Sequence, residues 1–146
     1  MMATSVHKSA GRTLGGLQTE FGLVLESLVR DVAGARGAVL IDGDGHAIDF
    51  ANDADAIDAL DLQIAGAQVS IVLVRTAGFA ERRGLGAPKV LLEGRAGCIM
   101  GSVVEPDIVV DAGLAMLVLV LRSHANLGAA WRRFEDAHGR LAALLA

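Results

Sequence analysis

The chain has 146 residues, of which 53% are hydrophobic, and a formal net charge of −4 at pH 7. This length suffices for one domain with a hydrophobic core but not for two, and the acidic balance gives no electric field that would attract a phosphate backbone, so nucleic-acid binding is not expected. The lone Cys98 cannot form an internal disulfide and no apolar segment of signal-peptide type follows the first basic residues, so we expect a cytoplasmic protein without membrane insertion.

The first predicted element is an amphipathic helix that follows a mobile N-terminal tail, residues 1–12. Thr13 is a suitable N-cap because its side-chain oxygen can accept a free amide of the first turn, and Gly34 suits the end of the helix. We therefore predict that the domain spans residues 13–146 and begins with a helix. The apolar residues at helical spacing are Leu14, Leu17, Phe21, Leu25, Leu28 and Val32.

Two short strands joined by a tight turn come next. Residues 37–41 are apolar, residues 46–51 alternate, and the glycines of the segment 42–45 provide the positive φ angles that a hairpin turn needs. The turn also resembles the start of an EF-hand loop. Ala47 stands at the position that needs glycine, however, and Asp53 stands where a bidentate glutamate is usual. The segment therefore predicts a β-hairpin and no calcium site.

A second helix, between N-cap candidates at residues 52–55 and Gly84, carries two apolar stripes. The run from residue 69 to 74 is β-branched enough to favour a strand by propensity, but we predict that the helix continues through it. Because a helix with two apolar faces needs two partners, we expect the sheet to cover one face and another protein to cover the other. One stripe comprises Ile57, Leu60, Ile64, Ala67, Ile71 and Val74, and the other comprises Leu62, Ala65, Val69 and Val72.

Charges of opposite sign mark the two ends of this helix. Acids at the start and bases at the end stabilise any helix through its dipole, which suffices to explain the pattern. The same pattern would also let two copies pack antiparallel about a two-fold axis, and the sequence leaves both interpretations open. The residues are Asp55, Asp58 and Asp61 at the start, and Arg75, Arg82 and Arg83 at the end.

Three strands and a closing helix complete the predicted order, which is α-β-β-α-β-β-β-α. The strands are residues 89–93, 98–104 and 114–121, and Asn126 is a good N-cap for the last helix. We predict a single α+β domain with a five-stranded, mostly antiparallel sheet and helices on both faces. The apolar face of the last helix comprises Leu127, Trp131, Phe134, His138, Leu141 and Leu145.

No segment has the pattern of a catalytic, cofactor or metal site. Neither glycine-rich segment, 84–86 or 94–97, is followed by the Lys-Ser/Thr of a P-loop. No two of the four histidines stand at metal-ligand spacing, and Cys98 at the start of an apolar strand is best explained as a buried hydrophobe. We expect no enzyme activity, no cofactor and no bound metal.

The C-terminal part of the chain resembles the end of a Roadblock/LC7 domain. The residues that carry the resemblance are the apolar strand 114–121, the turn Arg122-Ser123-His124-Ala125 and the sequence Asn126-Leu127-Gly128 that opens the amphipathic helix. The predicted order of elements matches that family over about residues 14–146. The chain is similar to the prokaryotic, MglB-like members of the family.

The resemblance implies a dimer that acts as an adaptor or regulator of a Ras-like small GTPase, with possible indirect stimulation of its activity. Such proteins form homodimers, or heterodimers with another Roadblock protein, in which the second helices pair and the edge strands join. The alternative is a profilin-like or PAS-like domain in which the second helix lines a ligand pocket. Val69→Asp is predicted to discriminate the two functions. In a helix pair the buried charge would break the dimer and leave the monomer folded, whereas in a pocket-lining helix it would mainly destabilise the fold. The implied interface residues are Leu62, Ala65, Val69, Val72, Arg75, Lys89, Leu91 and Glu93.

Overall fold

A computed structural model describes residues 13–104 and 114–146, so the predicted tail at residues 1–12 lies outside the described residues. Within the described residues the chain forms three helices and one antiparallel sheet of six strands. In chain order these are β1 Leu14–Gly15, α1 Glu20–Asp31, β2 Ala35–Asp42, β3 Ala47–Asp53, α2 Ala59–Arg82, β4 Lys89–Gly94, β5 Gly97–Val104, β6 Ala115–Arg122 and α3 Leu127–Leu145.

The sheet has the strand order β1-β3-β2-β6-β5-β4, which places β4 at one edge. Strand β6 lies between β2 and β5, where Val118 is opposite Val39 and Gly101. Successive side chains of β6 point to opposite faces of the sheet and are buried on both, from Ala115 to Leu121. Burial on both faces explains why this strand is a continuous apolar run instead of an alternating one.

Helices α1 and α3 cover one face of the sheet and α2 covers the other, which confirms the prediction of an α+β domain with helices on both faces. In the first layer, Phe134 and Leu141 of α3 are fully buried in the cluster that also contains Leu119 and Leu25. In the second layer, Leu62 and Leu73 of α2 pack in the cluster that contains the sheet residues Val39, Ile41, Met116 and Val118.

The prediction of five strands beginning with a helix at Thr13 is wrong, because a short strand comes first. Strand β1 pairs with β3, where Leu14 lies opposite Asp53. The N-cap of α1 is Thr19, whose hydroxyl accepts a hydrogen bond from the Gly22 amide at 3.3 Å. The buried Asp49 carboxylate accepts the backbone amides of Leu17 and Thr19 at 2.8 and 2.9 Å, which holds this segment out of a helix.

Helix α2 begins at Ala59 with Asp58 as N-cap, later than the predicted N-cap candidates at residues 52–55, because β3 continues to Asp53. The predicted helix through residues 69–74 is confirmed despite their β propensity. Gly84, at φ +67°, follows the last turn as predicted.

One predicted helix cap and one predicted turn are confirmed. The Asn126 side chain accepts the Ala129 amide at 3.0 Å at the start of α3. In the β2–β3 hairpin, the Asp42 carboxylate accepts the amides of Asp44 and His46, each at 2.9 Å, and Gly45 has φ +85°.

Candidate functional site

The side of α2 that faces away from the sheet is apolar and open to solvent. Leu60 is 67% exposed and Ile71 is 54% exposed, although both are large hydrophobic residues. The exposed residues Leu60, Ile64, Ile71 and Val74 and the smaller, half-buried Ala67 and Gly78 recur at alternating spacings of four and three, so they lie in one line along the helix. We call this line the outer stripe, and it comprises Leu60, Ile64, Ala67, Ile71, Val74 and Gly78.

The opposite side of α2 packs directly on the sheet. A Cβ at Gly66 would lie 2.7 Å from Cγ1 of Val39, so only glycine lets the helix approach so closely. Leu62 and Val69, one turn before and after it, are 0% and 3% exposed. This direct contact leaves no room for a ligand beneath the central part of the helix, which disfavours the pocket-lining alternative.

Both apolar stripes of α2 are present, and the second stripe is divided between the core and the surface: Leu62 and Val69 are buried, whereas Val72 is exposed. The sequence predicts Leu62 and Val69 at a partner interface, yet they are core residues of this chain because they share the face that Gly66 marks. Gly66 is the sequence signal that could have identified the inner face, since a glycine inside a helix often marks close packing. Val69→Asp would place a charge in the core, so it cannot discriminate the two functions.

Ala65 and Val72 lie on the flank of α2 between its inner face and the outer stripe. Val72 is 47% exposed and Ala65 is half-buried. This flank is on the side of β4, because Val69 and Val90 both approach the same position on β5, Gly101. Beyond the flank lies an open groove whose lining includes Arg36, Leu92, Ile99 and Val120. We call it the β4 groove.

Strand β4 beside this groove is an open edge. Among the described residues it pairs only with β5, so its other side presents free backbone donors and acceptors. Leu91, Leu92 and Glu93 are exposed on it, as the predicted role of Leu91 and Glu93 requires. Such an edge is a template for pairing with a further strand.

Lys89, at the start of β4, is engaged within the chain. Its Nζ forms an ion pair with the Glu135 carboxylate and lies 5.8 Å from the centre of the Trp131 ring. These contacts tie the first residue of the edge strand to α3. The sequence predicts Lys89 at a partner interface, whereas its role in the described structure is to anchor the strand that forms this edge.

The charged residues of α2 border its apolar surfaces. Asp61 and Arg75 are exposed and lie one position after Leu60 and Val74 of the outer stripe. Among the described residues neither forms an ion pair. Both charges are thus available to a partner.

Two groups of titratable side chains lie near these surfaces, at Cys98 and at the hairpin turn. Burial, and secondly the nearby charge of Glu93, raises the pKa of the Cys98 thiol, which disfavours the nucleophilic thiolate. Potential ligand atoms of Asp42, Asp44 and His46 lie within 4.8 Å of one another at the hairpin turn. The turn itself explains this cluster, because Asp42 accepts the two backbone amides that close it.

Helix α2, with 24 residues, is also long and apolar enough to cross a membrane by length and composition alone, although 28% of its apolar stretch is buried within the chain. A helix that covers a sheet on one face and a protein on another has the same composition. Length and composition are therefore weak evidence that α2 spans a membrane. The low buried fraction also means that most of the apolar stretch of α2 is not buried within the chain.

Comparisons with solved structures identify the fold. An MglB with a tetrameric arrangement matches with a TM-score of 0.69 and 24% identity over 84% of this chain and 85% of that chain. The gliding protein MglB from Thermus thermophilus matches with a TM-score of 0.68 and 25% identity, over 84% and 87%. A Roadblock/LC7 domain from Streptomyces avermitilis matches with a TM-score of 0.68 and 16% identity, over 87% and 98%.

The chain thus has a Roadblock/LC7 fold of the MglB-like kind, as its C-terminal residues predicted. No protein-family model matches the sequence, and a search of curated proteins finds no significant relative. The likeness is therefore carried by the structure.

Proposed function

We propose that this chain, with its MglB-like Roadblock/LC7 fold, is a non-enzymatic, cytoplasmic adaptor that dimerises and binds a Ras-like small GTPase. The observation that carries the proposal is that α2 presents apolar surface outside the fold, beside an open strand edge. Large exposed apolar patches mark protein interfaces. The known structures of similar fold, one of them in a tetrameric arrangement, support an assembling protein.

In the proposed homodimer, the β4 edges of two copies pair antiparallel and extend the sheet. The partner's α2 then lies over the β4 groove, against Ala65 and Val72. Leu91 and Glu93 lie on the joined strands, and Leu92 forms part of the covered floor. Leu62 and Val69 contribute indirectly, because they hold α2 on the sheet from below.

The GTPase is proposed to dock on the α2 side of this dimer, where Arg75 is exposed. In this proposal the chain is an adaptor that acts on the nucleotide turnover of another protein. Any stimulation would then be indirect, through the conformation of the bound GTPase. A heterodimer with another Roadblock protein would use the same surfaces.

Val72→Asp tests the dimer, because it places a charge on the proposed interface without entering the core. We expect light scattering to show loss of the β4-linked pair, with an unchanged circular dichroism spectrum. Leu144→Asp is the matched control, since Leu144 is an exposed apolar residue on α3, on the other side of the sheet.

A pull-down tests the GTPase half of the proposal. The immobilised wild-type protein should retain a purified Ras-like GTPase of the source organism in one nucleotide state. An unchanged mass for Val72→Asp, or no retention of any such GTPase, would refute the corresponding half of the proposal.

A further inference from the structure

Strand β4 has little side-chain burial to hold it in the fold. Of its six residues only Val90 is half-buried, and the other five are exposed. Among the described residues β4 pairs with β5 alone. A strand with so few buried contacts opens more readily than the strands of the core. The contacts that hold its first residues therefore decide how well its free edge is formed.

One face of α3 holds the start of β4. Trp131, Glu135 and His138 stand at spacings of four and three residues, so they point to the same side of the helix. The Glu135 carboxylate forms an ion pair with the Lys89 ammonium group, which also lies 5.8 Å from the centre of the Trp131 ring. The Trp131 ring meets the fully buried Phe134 ring edge to face, with the ring centres 5.2 Å apart, so it is anchored on the core. We call Trp131, Glu135 and His138 the α3 clamp.

His138 contacts the point where the pairing of β4 and β5 ends. The pairing register continues to Pro88, whose carbonyl accepts the Val103 amide at 3.4 Å. An antiparallel pair of this kind normally exchanges two hydrogen bonds, but a proline has no N–H group to donate back. The Val103 carbonyl accepts instead from His138 Nε2, at 2.9 Å, and from the Ser102 hydroxyl, at 3.0 Å. The His138 ring thus supplies from α3 a donor that Pro88 lacks.

We propose that the α3 clamp holds β4 in the paired form that presents its free edge, so that Trp131, Glu135 and His138 are positioning residues for the protein that binds there. When the clamp is broken, β4 opens from Lys89 and the fraction of chains with a formed edge falls. A partner that requires this edge then binds more weakly by the same factor. The identity of that partner, a second copy of this chain, rests on the proposed function, whereas the effect of the clamp on β4 needs no partner.

Charge reversal at Glu135 tests the clamp. Glu135→Lys replaces the attraction to Lys89 with a repulsion, so the β4 amides should exchange their hydrogens for deuterium about tenfold faster. Asp136→Lys is the matched control, because it makes the same charge change at the next position of α3, and among the described residues Asp136 forms no ion pair. Adding Lys89→Glu to Glu135→Lys should restore slow exchange. Equal exchange of β4 in the two single variants would overturn the proposal.

Two comparisons separate this local effect from global unfolding and from dimerisation. The amides of the central strand β6 should exchange in Glu135→Lys as they do in the wild-type protein, because the core remains packed. Repeating the measurement in the Val72→Asp background removes the protection that the proposed dimer would give to β4. An acceleration that extends equally to β6, or that disappears in the Val72→Asp background, would also overturn the proposal.

A double-variant cycle tests the donor role of His138. His138→Ala removes the ring donor, whereas Pro88→Ala provides a backbone N–H group opposite the Val103 carbonyl. His138→Ala alone should speed the exchange of β4 about fivefold, and its effect should be smaller in the Pro88→Ala background. The same acceleration in both backgrounds would show that the assigned role of His138 is wrong.

Sedimentation equilibrium connects the clamp to partner binding. Glu135→Lys should weaken association of the proposed dimer about tenfold or more, because both copies must present a formed edge, and Lys89→Glu should restore it. A Glu135→Lys variant that exchanges β4 faster but dimerises as tightly as the wild-type protein would overturn the positioning role and leave the proposed function intact. A wild-type protein that stays monomeric would overturn both.

Discussion

Asp49 organises the N-terminal part of the fold through one carboxylate. It is fully buried and accepts the amides of Leu17, Thr19 and Phe50, as well as the Thr19 hydroxyl. A Cβ at Gly22 would lie 2.5 Å from an oxygen of this carboxylate, so glycine is needed there for space. The side chain thus links β3 to the segment that leads into α1.

Asp49→Ala should lower the free energy of unfolding by about 3 kcal/mol, because several donors lose a charged acceptor. Urea denaturation followed by circular dichroism measures this loss. Asp44→Ala is the control, since Asp44 is exposed on the hairpin and should change stability by less than about 0.5 kcal/mol. Equal stabilities of the two variants would show that Asp49 has no such role.

Cys98 should react slowly with thiol reagents in the native protein. Burial and Glu93 raise its pKa, so at any pH near neutrality a smaller fraction is thiolate than in a free cysteine. The labelling rate should therefore begin to rise only at a pH above that of an ordinary thiol, and Glu93→Gln should lower this pH slightly. The rate of iodoacetamide labelling, measured between pH 7 and 10 for the native protein and for the protein unfolded in urea, checks this prediction. A native rate equal to the rate in urea would contradict this account.

At the scale of elements, Gly66 fixes how α2 lies on the sheet. Gly66→Ala should destabilise the fold by about 1–3 kcal/mol although alanine favours a helix, because the new methyl group would overlap Val39 and Ile41. Gly139→Ala on α3 is the matched control. No atom lies within 4 Å of its added Cβ, so it should stabilise the fold by roughly 0.5–1 kcal/mol. Thermal denaturation of both variants should shift in opposite directions, and a shift in the same direction would contradict the packing.

The elements that the sequence predicts well are those with a strong local signal. The apolar run of β6, the Asn126 cap and the hairpin turn all depend on neighbouring residues, and all are confirmed. Strand β1 could not be predicted, because Leu14 and Leu17 also fit a helical pattern and the competing contact comes from Asp49, about thirty residues away. The correct face of α2 likewise depends on packing against Val39, which no local pattern contains.

At the scale of the molecule, two helices cover one face of the sheet and a single helix lies on the other. Helices α1 and α3 pack on the first face, whereas α2 lies across the second and leaves the β4 groove and the outer stripe open. The sequence predicts that α2 needs two partners but not which residues meet the second one. Of the predicted interface set, Ala65, Val72, Arg75, Leu91 and Glu93 are placed where a partner can reach them, and their role in binding stays a prediction.

Sedimentation equilibrium of the wild-type protein over a wide concentration range tests the central claim, that the uncovered surfaces of α2 and β4 are protein interfaces. The chain mass is 15.1 kDa. We predict a mass of two chains throughout this range. A stable mass of one chain throughout this range would contradict the account.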